Sequence, residues 1–483
     1  MTIAVEDLLG AAAPAVTTPG APAGATTLAV ENPATGEVVA RIPAVGVDGA
    51  LAAAARAAAA GPDWAARSAR ERSGVLLRTF ELMIERRDEL ADLISLENGK
   101  ARADALAEVA YAAEYFRWYA EEAVRLRGEL FDAPGGTNRV LVSHEPIGLC
   151  LLVTPWNFPA AMATRKIGPA LAAGCTAVLK PADETPLTAL AIAGILAEAG
   201  LPEGALEVVV TDEAPAVVSA LLADDRVRLI SFTGSTEVGR LLLEQAARRV
   251  VRSTMELGGN APFLVLDDAA IDAAVDGAMI AKMRNGGQAC TAANRFYVQA
   301  GVHDRFVEAL VARMGAVVVG DAADPATACG PLISAEAVQK VRELVDDAIA
   351  RGARAVLGGT APEGPGHFYP PTVLVDVPAD ARILAEEVFG PVAPVVRFER
   401  EDEALAAAND TEYGLVSYLY TGDLERGLRL SGRLEAGMVA LNRGLVSDPA
   451  APFGGVKQSG LGREGSHEGL HEYVETKYVA TSW

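Results

Sequence analysis

The 483-residue sequence predicts an α/β protein built on a parallel sheet, and three observations carry that prediction. Short apolar runs (LCLLVTP, TAVLKP, LEVVVT and VRLISFTG, between residues 149 and 234) read as buried strands. A small-residue turn and then a helix-patterned stretch follows each run, and strand–helix alternation packs as a parallel sheet with ligands at the carboxyl ends of its strands. Hydrophobic residues make up 51% and charged residues 22% of the chain, which is ordinary globular usage with ample core for two to four domains.

The elements follow in order. Residues 8 to 26, LLGAAAPAVTTPGAPAGAT, read as part of a mobile arm spanning 1–26. ENPATGEVVARIP, from Glu31, reads as a turn and a strand. SARERSGVLLRTFELMIERRDELADLISLENGK, from Ser68, reads as one helix. Ser68 and Glu71 have capping-box spacing. Val75, Leu76, Leu82, Met83, Leu90, Leu93 and Ile94 recur at helical spacing, and Asn98-Gly99 is a stop signal. These apolar residues are expected in the core. From residue 139 the strand–helix alternation takes over, without an internal repeat of fixed period.

Composition excludes several classes. The formal net charge of −22 argues against nucleic acid and anionic membrane as partners. A few local arginines still permit an anionic small substrate. Cys150, Cys175, Cys290 and Cys329 form no CxxC pair, so neither a zinc or other metal site nor a disulfide framework is expected. Such cysteine usage fits a reducing cytoplasm. Glu6 and Asp7 stand where a signal peptide would carry Lys or Arg. No apolar run approaches the roughly 20 residues needed to span a bilayer.

The candidate chemistry sits at strand ends and loops. Cys290, in MRNGGQACTAANRFYVQ, has no nearby histidine, although a nucleophilic thiol needs a base or positive charge. In LISFTGSTEVGRLLLEQAARR, Gly234 permits close approach to a phosphate, Ser235 offers a hydroxyl, and the helix start offers free N–H groups. The glycines Gly234 and Gly239 are spaced G-x4-G, and the pattern alone is equally a plain turn. Lys180 ends a strand in VLKPADETP, where it and Asp183 suit ribose hydroxyls, although the motif by itself favours a solvated loop lysine and a helix N-terminal acid. Asn157, between aromatics in PWNFP, suits an oxyanion donor or a turn residue. Glu256, before two glycines in MELGGN, suits a desolvated base or a surface strand entrance. EEVFGPV and APFGGVKQSGLGREG are glycine-punctuated loops without a unique meaning of their own.

The conjunction is specific. MELGGN and GGQAC place Glu256 and Cys290 34 positions apart. With PWNFP, KPADETP, FTGSTEVG, EEVFGPV and PFGGVKQSGLGREG in the same order, the chain resembles the aldehyde dehydrogenase superfamily from about residue 30 to the C-terminus. The resemblance implies a Rossmann-type cofactor domain (27–124 and 145–255), an α/β catalytic domain (256–455) and a small β oligomerisation extension (125–144 and 470–483). It implies that Cys290 attacks the aldehyde carbon while the Asn157 amide and the Cys290 N–H hold the oxyanion. The thiohemiacetal then gives hydride to the nicotinamide, and Glu256 activates water to hydrolyse the thioester. NAD(P)⁺ and the N–H dipoles of the site are expected to favour the thiolate. The resemblance assigns Lys180 and Asp183 to the adenosine ribose, and Gly234, Ser235 and Gly239 to the pyrophosphate region. Glu387 and Phe389 fall to the nicotinamide ribose, and Lys166, Thr154, Pro155, Trp156 and Leu257 to the cofactor's surroundings. Cys150, Cys175 and Cys329 are expected to be buried and inert.

Arg165, Arg284 and Ser447 match positions where the succinate-semialdehyde dehydrogenase branch of the superfamily binds the distal carboxylate of its substrate. Guanidinium groups clamp carboxylates with charge-assisted bonds. The alternative is that one or both arginines form internal salt bridges. Ala292 stands where some members of that branch have a second cysteine, so no disulfide switch is expected at the nucleophile. Asp183 favours NAD over NADP, because a carboxylate accepts from a 2′-hydroxyl and repels a 2′-phosphate. Three readings follow: oxidation of succinate semialdehyde, oxidation of a related carboxylated semialdehyde such as glutarate semialdehyde, or a non-catalytic protein retaining the fold. The open strand edges of the extension imply a homodimer or homotetramer.

Overall fold

The computed structural model describes residues 27–482. The expected arm, 1–26, and Trp483 lie outside the described residues. A hairpin opens the fold, with β1 (Thr27–Glu31) antiparallel to β2 (Val38–Pro43). Helices cover the next stretch. Then come β3 (Glu129–Asp132), β4 (Arg139–Pro146), β5 (Leu149–Val153), β6 (Thr176–Lys180), β7 (Leu206–Val208), β8 (Val227–Thr233) and β9 (Arg252–Glu256). A second series follows: β10 (Ala261–Val265), β11 (Ala293–Gln299), β12 (Arg354–Leu357), β13 (Thr372–Val375), β14 (Val392–Phe398), β15 (Val416–Tyr420) and β16 (Met438–Leu441). The chain closes with β17 (Gly460–Leu461) and β18 (Val474–Thr481).

The expected parallel sheet is present. Its order is β17-β9-β8-β5-β6-β7, with β5 to β9 parallel and β17 antiparallel at the edge. β5 and β6 are buried along their whole length, as continuous apolar runs require when helices cover both faces. Helix Pro159–Ala173 packs on one face and helix Val47–Ala66 on the other, each within its own apolar cluster. The LEVVVT run forms a strand of only three residues, at the sheet edge. From β5 the chain moves outward to β6 and β7, then returns past β5 to β8 and β9. The carboxyl ends of β5 and β8 therefore flank a topological switch point, where open α/β sheets bind ligands.

The second sheet, β12-β13-β14-β11-β10-β15-β16, is parallel except for β12. A third, small sheet joins β18, β4 and β3 in antiparallel register. Among the described residues no helix is long and apolar enough to cross a membrane.

The helix expected from Ser68 to Gly99 is two helices, Ala69–Glu85 and Arg87–Asn98. Arg86 leaves helical geometry at φ −102°, ψ 23°, and both apolar stripes still reach one core. The capping box is present: Ser68 Oγ accepts from the Glu71 N–H at 3.3 Å, and Glu71 Oε2 accepts from the Ser68 N–H at 2.9 Å. Gly99 ends the second helix at φ +74°. A Cβ there would stand 2.5 Å from Pro331 and 2.8 Å from Pro33. Gly136, at φ +67°, has open space around it. Ala at either position adopts the left-handed conformation at a cost of about 1–2 kcal/mol. Gly99→Ala adds overpacking, typically ~1–3 kcal/mol. Urea denaturation should therefore show a clearly larger loss for Gly99→Ala than for Gly136→Ala; equal losses would contradict the packing.

Candidate active site

The two large sheets meet with opposite ends. β5 and β8 offer their carboxyl ends through Thr154-Pro155-Trp156-Asn157 and Gly234-Ser235. The second sheet offers residues that precede its strands: Leu257 and Gly258 before β10, Cys290 before β11, and Glu387 and Phe389 before β14. The expectation that chemistry lies at carboxyl ends holds for the first sheet and is reversed for the second. Between them lies a cavity of about 290 Å³ lined by Pro155, Trp156, Asn157, Arg165, Gly234, Ser235, Leu257, Arg284, Cys290, Glu387, Phe389 and Ser447.

Asn157 is fixed through its backbone. Its carbonyl accepts from Lys100 Nζ at 2.8 Å and from Asn285 Nδ2 at 2.9 Å. Lys100 is ion-paired to Glu108, and both are fully buried. Glu108 also accepts from the N–H groups of Ala160 and Ala161, at 2.9 and 3.2 Å. It thereby serves the free donors at the start of helix Pro159–Ala173. The Asn157 side chain donates to the Gln288 carbonyl at 3.0 Å. The amide has a second N–H to offer.

The Cys290 loop is held by its backbone conformation. Asn285, Gly286 and Gly287 are all left-handed, at φ +52°, +61° and +77°. A Cβ on Gly287 would stand 2.2 Å from the Gly390 carbonyl oxygen. Gln288 clamps the loop from within, donating to the Asn285 and Pro331 carbonyls at 3.2 Å each and accepting from the Ile333 N–H at 3.0 Å. A Cβ on Gly259 would stand 2.6 Å from the Cys290 carbonyl oxygen, so MELGGN and GGQAC pack backbone to backbone.

Burial pushes the Cys290 thiol up to about 12; Arg165 and Arg284 oppose this, while Glu387 and Glu256 add to it. Among the chain's own groups, burial outweighs the two arginines at Cys290; the expected pull toward the thiolate is assigned to NAD(P)⁺ and the N–H dipoles. Glu256 is 3% exposed. Burial, then the Glu464 carboxylate, holds it well above the usual carboxylate range despite Arg165 and Lys166. Neither carboxylate oxygen has a hydrogen-bond partner. Glu387 accepts from the Gly259 N–H at 3.1 Å, and burial raises it to about 7. Phe389 is left-handed at φ +55° and stacks edge-on to Trp156 at 5.4 Å.

Several expected residues lie off the cavity. Glu256 sits behind its wall, where a Cβ on Gly454 would approach its Oε1 to 2.9 Å. Lys166 is fully buried, donates to Ser231 at 2.9 Å and pairs with Glu464. It follows Arg165 by one residue, and the ~100° step around the helix turns it toward β8. Gly239 is a packing residue, since a Cβ there would meet Leu257 at 2.4 Å. Lys180 and Thr154 end adjacent strands, joined by the Thr154 N–H and Lys180 carbonyl at 3.1 Å. They lie with Asp183 beside the cavity, not on its wall. Cys150, Cys175 and Cys329 are buried.

Arg165 does form an internal salt bridge. Its Nε pairs with Glu464, its guanidinium lies 4.1 Å over the Phe453 ring, and its Nη2 has no partner. Arg284 lies 5.0 Å over the Phe158 ring. Sequence reasoning missed Tyr111, Phe158, Met162, Lys340 and Phe453 in the cavity wall. It also missed Glu464, which anchors Arg165 and Lys166. Phe453 and Glu464 stand inside PFGGVKQSGLGREG, a stretch already singled out. Tyr111 sits in a helix of core-like pattern that carries no signal of a site.

A topological switch point that opens onto a cysteine-bearing cavity suits an α/β oxidoreductase. The chain belongs to the aldehyde dehydrogenase family, whose model matches residues 21–479. The succinate-semialdehyde dehydrogenase of Paenarthrobacter nicotinovorans is 54% identical over 430 residues, covering 89% of this chain and 96% of that protein. The glutarate-semialdehyde dehydrogenase of Pseudomonas putida is 50% identical, covering 94% of each chain. A solved structure of an NADP-dependent enzyme from Escherichia coli superposes with a TM-score of 0.93 at 49% identity, covering 95% of each.

With the thiol raised to about 12, its thiolate fraction grows about tenfold per pH unit across the neutral range. Iodoacetamide alkylation of Cys290 in cofactor-free enzyme, followed by mass spectrometry, should accelerate from pH 7 to 10 without levelling. A plateau below pH 8 would contradict the assignment.

Proposed function

We propose that this enzyme oxidises succinate semialdehyde to succinate with a nicotinamide dinucleotide, through a thioester on Cys290. The observation that carries this reading is the donor set in the cavity wall. Arg284, Arg165, whose buried Nη2 has no partner, and Ser447 line the same cavity as Cys290. An aldehyde with a distal carboxylate supplies the acceptor those donors lack. The close relation to a succinate-semialdehyde dehydrogenase adds support.

The residues suit the dinucleotide. Gly234 presents no side chain at the start of helix Thr236–Ala247, and Ser235 caps that helix through the Val238 N–H at 3.3 Å. Its first N–H groups suit a phosphate. Glu387 suits a ribose hydroxyl, with Trp156 and Phe389 as an aromatic wall. The dinucleotide supplies the hydride acceptor. Cys290 Sγ gives up its thiol proton to the ionised Glu256 carboxylate as it bonds to the aldehyde carbon, the Asn157 amide and Cys290 N–H stabilise the oxyanion, and its collapse expels hydride and leaves the thioester. Glu256, having passed its proton to solvent, takes a proton from the water that attacks the thioester carbon, and the C–S bond breaks to release succinate and return Cys290. We assign NAD as the preferred form, since Asp183 and Glu184 both act on Lys180 and leave little net charge for a 2′-phosphate. Glutarate semialdehyde is the second reading, favoured by the 50% identical relative from Pseudomonas putida. One added methylene shifts selectivity by only about 10–200-fold.

The same reading divides the chain at residues 27–124 and 145–255 for the cofactor, 256–455 for catalysis, and 125–144 with 470–483 for assembly. Exposed Leu130, Phe131, Tyr478 and Val479 on the small sheet suit pairing into a homodimer or homotetramer. Four unpaired cysteines suit the cytoplasm.

The two arginines should behave differently. Arg284→Ala removes a donor to the substrate anion, worth roughly 1.5–3 kcal/mol, so KM for succinate semialdehyde should rise about 10–150-fold. Turnover of butanal should hold. Arg165→Ala strands part of a buried ion pair, at about 3–5 kcal/mol, and should lower thermal stability and turnover of both substrates. If Arg284→Ala weakened both substrates alike, the carboxylate reading would fail. Cys290→Ala should abolish oxidation, and activity remaining at wild-type level would end the thioester mechanism.

A further inference from the structure

The cavity has a donor that neither the family motifs nor the arginine pair assigns. Tyr111, on helix Arg102–Ala123, lines the same cavity as Arg165, Arg284 and Ser447. Its hydroxyl lies 2.5 Å from the hydroxyl of Tyr115, one helical turn on, and the rings meet edge to face at 5.1 Å. Tyr115 is fully buried, and burial holds its hydroxyl well above the usual phenol range. Two hydroxyls share one hydrogen bond but carry two protons. Whichever hydroxyl accepts has its own proton left to donate. Tyr115, enclosed in the core, has no second acceptor, whereas Tyr111 faces the cavity. The satisfied arrangement is Tyr115 donating to Tyr111 and Tyr111 donating into the cavity. A donor that itself accepts a hydrogen bond is polarised toward donation.

The geometry points to Tyr111 as a specificity-determining residue whose hydroxyl donates to the distal carboxylate of the substrate, with Tyr115 orienting that proton. The inference rests on the carboxylate reading above and adds to it a neutral donor. Arg165 is already partly neutralised by Glu464, so the site holds its anion with less net positive charge than two free arginines would supply. A neutral, pre-oriented hydroxyl then contributes binding without demanding another counter-charge in the core.

The test is steady-state kinetics of wild type, Tyr111→Phe, Tyr115→Phe and Arg284→Ala with succinate semialdehyde and with butanal, plus inhibition by succinate. Tyr111→Phe should raise KM for succinate semialdehyde and Ki for succinate about tenfold, since bonds to charged groups exceed neutral ones. Its kcat should stay within about threefold, and butanal should be unaffected. Tyr115→Phe, which removes only the orienting partner, should shift the same constants in the same direction but less. The ring is kept in both variants, and matching thermal melts would verify folding. Unchanged KM and Ki in Tyr111→Phe, with Arg284→Ala still raising KM for succinate semialdehyde but not for butanal, would overturn the tyrosine assignment alone. Loss of selectivity in neither variant would overturn the carboxylate reading and this inference together.

Discussion

The Glu464 carboxylate, shared between Arg165 and Lys166, is the interaction on which the site depends. All three groups are buried, with Arg165 only 1% exposed, so none can be removed without stranding a charge in the core. Glu464 follows β17, the edge strand beside β9, while Arg165 and Lys166 lie on the helix after β5. The pair of bonds thus fastens the C-terminal segment across the first sheet. It holds Arg165 in the cavity wall. It also contributes to the field around Glu256, which burial first and then the Glu464 charge hold well above the usual carboxylate range.

Around that fastening, two sheets divide the work. The first brings the carboxyl ends of β5 and β8 to a switch point, where helix starts and Gly234 suit a phosphate. The second brings loops that precede its strands, so that Cys290, Glu387 and Phe389 face the switch point from the other side. Left-handed residues Asn285, Gly286, Gly287 and Phe389 mark where backbone is bent to aim these groups. Such positions are costly unless the surroundings over-determine them, as Gln288 and Gly390 do for the cysteine loop.

Much of this was legible in the sequence, for identifiable reasons. Buried parallel strands announce themselves as apolar runs, and the capping box at Ser68 is a local pattern that forms locally. Glycines in MELGGN and GGQAC report close backbone approach, and motif order carried the family. What escaped depends on partners distant in sequence. The break at Arg86 follows from how two stripes meet one core. That Arg165 is half-committed to Glu464 follows from a contact between residues 299 positions apart, which spacing cannot express. Lys166 and Gly239 match motif positions, yet helix phase and packing against Leu257 place them off the cavity wall. Tyr111 reads as core because its helix is core on most sides. Only the third dimension shows which tyrosine meets the cavity.

The central claim is that the cavity recognises an aldehyde by its distal carboxylate. The most direct measurement is the ratio of kcat/KM for succinate semialdehyde to that for butanal in the wild-type enzyme, with NAD and with NADP. Two or more charge-assisted bonds of roughly 1.5–3 kcal/mol each predict a ratio of at least about a hundred with either cofactor. A ratio near one would contradict the account, leaving an aldehyde dehydrogenase whose arginines serve only the fold.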